Sequence, residues 1–386
     1  MKFIHLADCH LGGWREPKLQ ELGISSFKRA IDYALQEYVG FVLISGDLFD
    51  SALPNIELLK ETASELSKLK ENDIPVYIIA GSHDFSPSGK TMLDVLEKAG
   101  LIENVAKFNN NKLEFTHDRT GTKITGLPGK KGSLDKEYYE LLDKTNLENE
   151  KGFKIFMFHN TINEFKPKEL ENIDGQSLNL LPKNFDYYAG GHVHYIFETE
   201  KPGYKKIVYP GPLFPNNFLE LEKLKNGGFY LVEYKDSKLK TNYVPIEIVK
   251  TNSYFFDANN KIPEMLEKEL NSVKNTKNKI ILMRIEGILK SGKTSDINFK
   301  KIFDNYKDAY IILKNTSKFE SKEQEEIEIK QGSIEEIENS IINDLKLDKD
   351  LVTKLIHILD IEKEEGEKSL DFENRIIKDA KEVIKI

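Results

Sequence analysis

Lys2-Phe3-Ile4-His5-Leu6-Ala7-Asp8-Cys9-His10 decides the fold class: the apolar run Lys2–Leu6 reads as a buried strand and breaks directly into a carboxylate and an imidazole. The pattern recurs down the chain. Phe41–Ser45 ends in Gly46-Asp47-Leu48-Phe49-Asp50, and the run 75–80 ends in Gly81-Ser82-His83-Asp84. The run 154–158 ends in His159-Asn160, and 186–189 ends in Gly190-Gly191-His192-Val193-His194. Amphipathic stretches at 26–37 and Ile56–Glu71 lie between the early runs and predict helices. Such alternation favours a layered α/β sheet system with helices on its faces. In such sheets the side chains at the carboxyl ends of the strands converge on one rim.

Working outward, 207–209, the turn Pro210-Gly211-Pro212 and 228–234 predict further strands closing the same sheet system by about Ile248. A second unit follows, with helices expected near 263–273 and 298–305 and strands near 280–285 and 309–314. The last segment opens on Ser333-Ile334-Glu335-Glu336, the spacing of a capping box. Ile334, Ile337, Ile341 and Leu345, then Leu351, Leu355 and Leu359, recur at helical spacing, so the tail is expected to be helical with one apolar stripe. The domain boundaries read this way are 1–248, 249–331 and 332–386.

The 386 residues hold 39% hydrophobic and 31% charged residues, with 22 Phe and 16 Tyr, too rich in large apolar groups for a disordered chain. No run approaches a membrane span, and the N-terminus breaks into charge too early for a signal peptide, so a soluble, cytoplasmic protein with no membrane partner is expected. Cys9 is the only cysteine, which excludes an intrachain disulfide and a Cys-rich zinc site; any metal is left to His, Asp or Glu. A net charge of −8 (56 Lys+Arg against 64 Asp+Glu) argues against a protein that coats nucleic acid by charge alone. From Ser333 onward, however, 15 acidic and 9 basic residues carry −6, which leaves −2 on the preceding 332 residues.

Five of the eight histidines and two aspartates, Asp8 and Asp47, thus fall at successive strand ends. Carboxylates can bridge two divalent ions while imidazoles complete each sphere. Two ions about 3.5–4 Å apart clamp a phosphoryl oxygen and lower the pKa of water, which is phosphoester hydrolysis chemistry. The order DxH, GDxxD, GxHD, H and GHxH resembles the calcineurin-like metallophosphoesterases, whose layered β-sandwich is flanked by helices. The strings LADCHLGG, LISGDLFDS, IAGSHDFSPSG and GGHVHY, with the following YPGP turn, resemble one branch. That branch holds the SbcD-type and meiotic-recombination-eleven-type nucleases of double-strand-break repair. The resemblance covers about 245 residues by motif; the small α/β module and helical tail match the branch's capping domain and partner-binding segment by order only.

The resemblance implies an Mn²⁺-dependent 3′-to-5′ exonuclease and single-strand endonuclease holding two Mn²⁺ per chain. Asp8, His10 and His194 would hold one ion, Asp47 would bridge, and His159 and His192 would hold the other. His83 would donate a proton to the leaving 3′ oxygen or stabilise developing charge there, with Asp84 orienting it. Implied partners are DNA, a second copy of the chain, and an SbcC-type SMC-like ATPase on the C-terminal helices. Gly-Lys-Thr at 89–91 and 292–294 lacks the first glycine of a phosphate-binding loop, so ATP is assigned to that other subunit. The tail's stripe also fits packing on the chain's own body.

Two positions depart from the family pattern. Ser82 stands where an asparagine commonly ligates the second ion, so a second site weaker than the first is expected. Asp50 stands where a histidine is common. Trp14, with Arg15 beside it, follows Gly12-Gly13 near the first ligands; it either stacks on a base or packs over its own loop. His5 and Cys9 read as packing residues. Other readings of the same ligand set are a small-nucleotide phosphodiesterase, which has little use for a cap and tail, and a DNA-end-binding scaffold weakened at Ser82 and Asp50.

Overall fold

The computed structural model describes residues 1–86, 91–109, 112–130, 136–167, 174–322, 349–361 and 369–384. The chain forms two compact units, Met1–Glu323 and Gln324–Ile386. Gly89, Lys90, the capping box at 333–336 and the apolar positions Ile334, Ile337, Ile341 and Leu345 lie outside the described residues.

The first unit is built on two six-stranded sheets packed face to face. One runs Lys238–Ile246, Gly227–Lys235, Lys2–Leu6, Phe41–Ser45, Val76–Ile79 and Glu103–Asn104; the other runs Phe197–Lys201, Tyr204–Tyr209, Tyr187–Gly191, Lys154–His159, Lys123–Leu127 and Thr116–His117. The ligand-bearing strands are parallel within each sheet, and parallel strands covered on both faces read as continuous apolar runs. Strand alternation then sorts the side chains. Phe3, Phe41, Leu43, Tyr77 and Ile79 meet Ile155, Met157, Tyr187 and Ala189 between the sheets. Ile4, Leu6, Val42, Ile44 and Ile78 point the other way, onto the helices Pro17–Gln36 and Ile56–Glu71. The outer face of the second sheet buries Phe156, Phe158 and Tyr188.

The expected strands beyond residue 200 form, but in different sheets: Tyr204–Tyr209 joins the second, whereas Gly227–Lys235 returns to the first and pairs antiparallel with Lys2–Leu6. The first helix starts at Pro17, nine residues before the expected 26, because proline at the first turn loses no hydrogen bond there. Strands Thr251–Asp257, Ile280–Leu289 and Ile311–Ser321 form a small parallel sheet with crossover helices Pro263–Leu270 and Phe299–Asp304 and a core of its own. Its other face sets Ile280 and Leu282 against Leu19, Leu22, Phe214 and Leu221. In the second unit, helices Lys349–Leu359 and Ser369–Ile384 pack against each other. Among the described residues no helix is long and apolar enough to cross a membrane.

One polar chain crosses the apolar layer between the sheets. Ser45 Oγ donates to the Ala189 carbonyl (3.0 Å), so it accepts from His5 Nε2 (2.9 Å), and Tyr187 donates its hydroxyl to His5 Nδ1 (2.9 Å). His5 is fully buried, and burial pulls its pKa down to about 3. It is neutral in the folded chain and takes up a proton only on unfolding, so its contribution is present above about pH 6.5 and lost as pH falls toward 3. His5→Leu should destabilise the chain at pH 7.5 by roughly 1–3 kcal/mol through the unpaired Ser45 and Tyr187 hydroxyls. The gap to wild type in denaturant unfolding should shrink by about 2 kcal/mol at pH 5; a gap independent of pH would contradict a neutral His5.

Candidate metal centre

The strand ends turn sharply where the ligands stand. Asp8, His10, Asp47 and His192 all have left-handed backbone, with φ of 50°, 41°, 53° and 88°. Such conformations cost about 1–3 kcal/mol each and persist where surrounding bonds over-determine them. Here the 8–11 loop is zipped to the 46–48 loop: Asp8 N–H donates to Gly46 O (3.1 Å), His10 N–H to Asp47 O (3.0 Å) and Leu11 N–H to Leu48 O (3.0 Å). Across the sandwich the approach is just as close. A Cβ on Gly191 would lie 2.1 Å from the Ser45 carbonyl oxygen and 2.8 Å from His159 Nδ1.

These turns bring Asp8, His10 and His194 together as one candidate metal-holding group and Asp8, Asp47 and His159 as another. His10 Nε2 and His194 Nε2 stand 3.1 Å apart, turned toward a common point. Asp47 reaches both sides: its Oδ2 is 3.1 Å from His159 Nε2 and 3.7 Å from His10 Nε2. His192 donates its backbone N–H to both oxygens of Asp8 (2.9 and 3.1 Å), and its ring lies 5.2 Å from that of His159. The second group therefore contains Asp8 beside the expected Asp47 and His159, whereas His192, expected there as well, is not part of it and meets the cluster through its backbone N–H and its ring contact with His159.

Each of three imidazoles has its Nδ1 engaged by an acceptor behind it, which leaves Nε2 for the centre. His10 Nδ1 faces Asp50 Oδ1 (3.1 Å), His194 Nδ1 faces Glu220 Oε1 (2.9 Å), and His159 Nδ1 donates to the Ser45 carbonyl (2.7 Å). Carboxylate or carbonyl behind an imidazole fixes its tautomer and raises its basicity, as metal-binding histidines require. This donor chemistry fits a pair of divalent ions. Asp50 and Glu220 are the partners that motif reading did not assign; Asn217-x-x-Glu220 marks a helix start in the sequence, and nothing in that spacing points to a metal ligand 26 positions earlier.

His83 is half-exposed at the rim, with its N–H donating to Asp47 Oδ1 (2.7 Å) and its Nδ1 donating to the Asp50 carbonyl (2.8 Å). Asp84 takes a different part from the one expected. It is buried and accepts from the backbone N–H of Gly81 (3.0 Å), Leu48 (3.3 Å) and Phe49 (3.3 Å), so it clamps the two loops together and the His83 ring is held by Asp50. Ser82 Oγ donates to Asp47 Oδ2 at 3.4 Å. Trp14 donates its indole N–H to Pro215 O (2.9 Å) and packs on the cluster of Leu19, Phe214 and Ile280, while Arg15 is exposed. Tight loop packing is what the structure records for Trp14.

Burial lowers the basicity of His159, His192 and His194, and carboxylates reverse it for two of them. Glu220 and Asp8 lift His194 to about 9. Asp47 likewise lifts His159, whose proton the pair shares, and is itself held below the usual carboxylate range. His192, buried beside His159, falls to about 3 and is already neutral. A ligating imidazole must be neutral, so metal uptake by this cluster at pH 7 would expel protons from His194 and His159. Calorimetric Mn²⁺ titration in buffers of different ionisation enthalpy should show release of about one to two protons per chain at pH 7, with affinity rising from pH 6.5 to 8.5. Uptake without proton release would contradict the assignment of these two rings.

The calcineurin-like phosphoesterase family model matches residues 1–195. Among curated proteins, the chain is 31% identical to the DNA double-strand break repair protein Mre11 of Methanocaldococcus jannaschii, over 81% of this chain and 82% of that one. It is 29% identical to the Mre11 of Methanococcus maripaludis over 91% and 93% of the two chains. The Mre11 of Sulfolobus acidocaldarius is 28% identical over 96% and 97%.

Proposed function

The chain belongs to the calcineurin-like phosphoesterase family and to its Mre11 branch, and on that premise we propose that it is the Mn²⁺-dependent nuclease subunit of a DNA double-strand-break repair complex. It is a metal-dependent phosphodiesterase, and its substrate in this reading is DNA, cut as a 3′-to-5′ exonuclease and single-strand endonuclease. The observation that supports this most directly is the convergence of Asp8, His10, Asp47, His159 and His194 at the carboxyl ends of two facing sheets, with His83 at the rim.

In this reading Asp8, His10 and His194 would hold one Mn²⁺ and His159 and His192 the other, with Asp47 available to both. When bound, the pair of ions clamps the phosphoryl oxygens and lowers the pKa of water. The chain's own residues do the rest. His83 Nδ1–H is taken by the Asp50 carbonyl, so His83 exchanges its proton at Nε2, the atom free to serve the leaving 3′ oxygen. Asp84 keeps the loop carrying His83 against the loop carrying Asp47. Residues 1–248 form the catalytic domain, 249–331 cap it over DNA, and 332–386 dock on an SMC-like ATPase. The apolar residues Leu359, Ile377 and Ile384, exposed on the two C-terminal helices, support that docking. The subunit works in the cytoplasm as a homodimer, next to the DNA.

End-labelled single- and double-stranded DNA incubated with the chain and Mn²⁺ should be shortened processively. His83→Ala should lower kcat by about 10²–10⁴-fold with Mn²⁺ uptake unchanged. No cleavage of any DNA despite normal uptake would favour the scaffold reading, and cleavage confined to small nucleotide diesters would favour the small-molecule enzyme. Ser82 bears on the second ion separately: its hydroxyl is committed to Asp47 and is a poor ligand. Calorimetry should resolve a tight and a weaker Mn²⁺ site, and Ser82→Asn should tighten the weaker one. Two equally tight sites in the wild type would count against this role of Ser82.

A further inference from the structure

The short helix Phe218–Leu224 stands between the metal centre and the small parallel sheet, and its two sides do different things. Toward the centre, Glu220 Oε1 holds His194 Nδ1 (2.9 Å), while Glu220 Oε2 accepts from Asn216 N–H (2.7 Å). Asn216 in turn donates its side-chain amide to Asp50 Oδ1 (3.3 Å), the oxygen that holds His10 Nδ1. Both imidazoles of the first metal group are therefore oriented from this one turn of chain. Toward the small sheet, the residues are Phe218, Leu221 and Glu222, at the i, i+3, i+4 spacing of one helix face, with Lys225 capping the helix end. Leu221 is fully buried in the cluster that contains Ile280 and Leu282. Glu222 takes a two-pronged contact from Arg284 of the strand Ile280–Leu289, with Arg284 Nε 2.9 and 3.0 Å from its two oxygens. The Arg284 guanidinium lies 5.3 Å from the Phe218 ring, and Thr251 Oγ1 donates to the Lys225 carbonyl (3.3 Å).

A helix of this length moves as a rigid body, so a displacement of the small sheet that carries Glu222 also carries Glu220. We infer that Arg284 and Glu222 are positioning residues for the first metal site, and that the Arg284–Glu222 contact and metal affinity at Asp8, His10 and His194 are thermodynamically linked through the helix Phe218–Leu224. Linkage is reciprocal: the closed Arg284–Glu222 contact tightens that site, and the occupied site holds the contact closed. The second site is not served by this route, because His159 is oriented by the Ser45 carbonyl inside the sandwich.

The inference rests on the metal-site reading above, and the experiment separates the two. Mn²⁺ binding is titrated by calorimetry on the full chain for the wild type, Glu220→Ala, Arg284→Met, Arg284→Lys and Tyr310→Phe. Tyr310 is the control: its hydroxyl donates to Lys18 O (3.0 Å) and so ties the small sheet to the helix Pro17–Gln36 by a bond that does not run through Glu222. Glu220→Ala should weaken the first site about 10–100-fold. Arg284→Met should weaken the same site roughly twofold to thirtyfold, with the second site unchanged and Arg284→Lys intermediate. Tyr310→Phe should lower thermal stability and leave metal affinity unaltered. Hydrogen exchange of the strand Ile280–Leu289 should slow on Mn²⁺ addition in the wild type and respond less in Arg284→Met. If Arg284→Met keeps first-site affinity within twofold, or Tyr310→Phe weakens it equally, the linkage is wrong while the metal site stands. A wild-type chain that takes up no Mn²⁺ would overturn the site itself.

Discussion

The carboxylate of Asp47 is the point on which the rest of the molecule depends. It comes from one sheet, it is almost wholly buried, and its two oxygens reach opposite ways: Oδ1 to the His83 N–H on the same sheet, Oδ2 to His159 on the other. A buried charge without such partners is expensive, by several kcal/mol even after relaxation. The two sheets must therefore meet with their carboxyl ends level. Asp8 imposes the same condition a second time, through the His192 N–H of the opposite sheet. Everything between the sheets serves that alignment, from the Phe3 and Phe41 ring stack to the His5 chain that joins Tyr187, Ser45 and Ala189.

Around this pair of carboxylates the histidines divide by what stands behind them. His159 is backed by a main-chain carbonyl, which cannot move without moving a strand. His10 and His194 are backed by the side chains of Asp50 and Glu220, which belong to loops and to a short helix. One half of the centre is set by the sandwich, and the other half is open to whatever displaces the Phe218–Leu224 helix. The departure at Asp50 is accommodated in the same framework: its side chain serves His10 and its carbonyl serves His83, so a single residue orients both rings.

Much of the fold was legible because burial on both faces of a parallel sheet leaves uninterrupted apolar strings, each stopped by a glycine or a ligand. Lys2–Leu6, Phe41–Ser45 and Ile56–Glu71 form with the expected limits. The strand Lys238–Ile246 escaped reading because it lies at the sheet edge and alternates exposed polar residues such as Lys240 with half-buried ones, so its pairing with Gly227–Lys235 holds it in place more than its own apolar content does. Asp84 was read from its neighbour in sequence, yet its carboxylate turns to Leu48 and Phe49, since a buried carboxylate seeks backbone donors wherever the fold supplies them.

The sequence by itself determined the types of the clustered Asp and His residues, their order along the chain and their place at strand ends, because strand length and alternation are local properties of the backbone and glycine marks where it turns. Only the tertiary structure decided which carboxylate backs which imidazole, that Asp8 joins Asp47 and His159, and that Glu220 shares a helix with the seat of the small sheet. Those relations join residues far apart along the chain, 112 positions for Asp47 and His159. Distance along the chain holds no record of them; they arise when two sheets bury their apolar faces against each other and the polar groups left at the rim must find partners there.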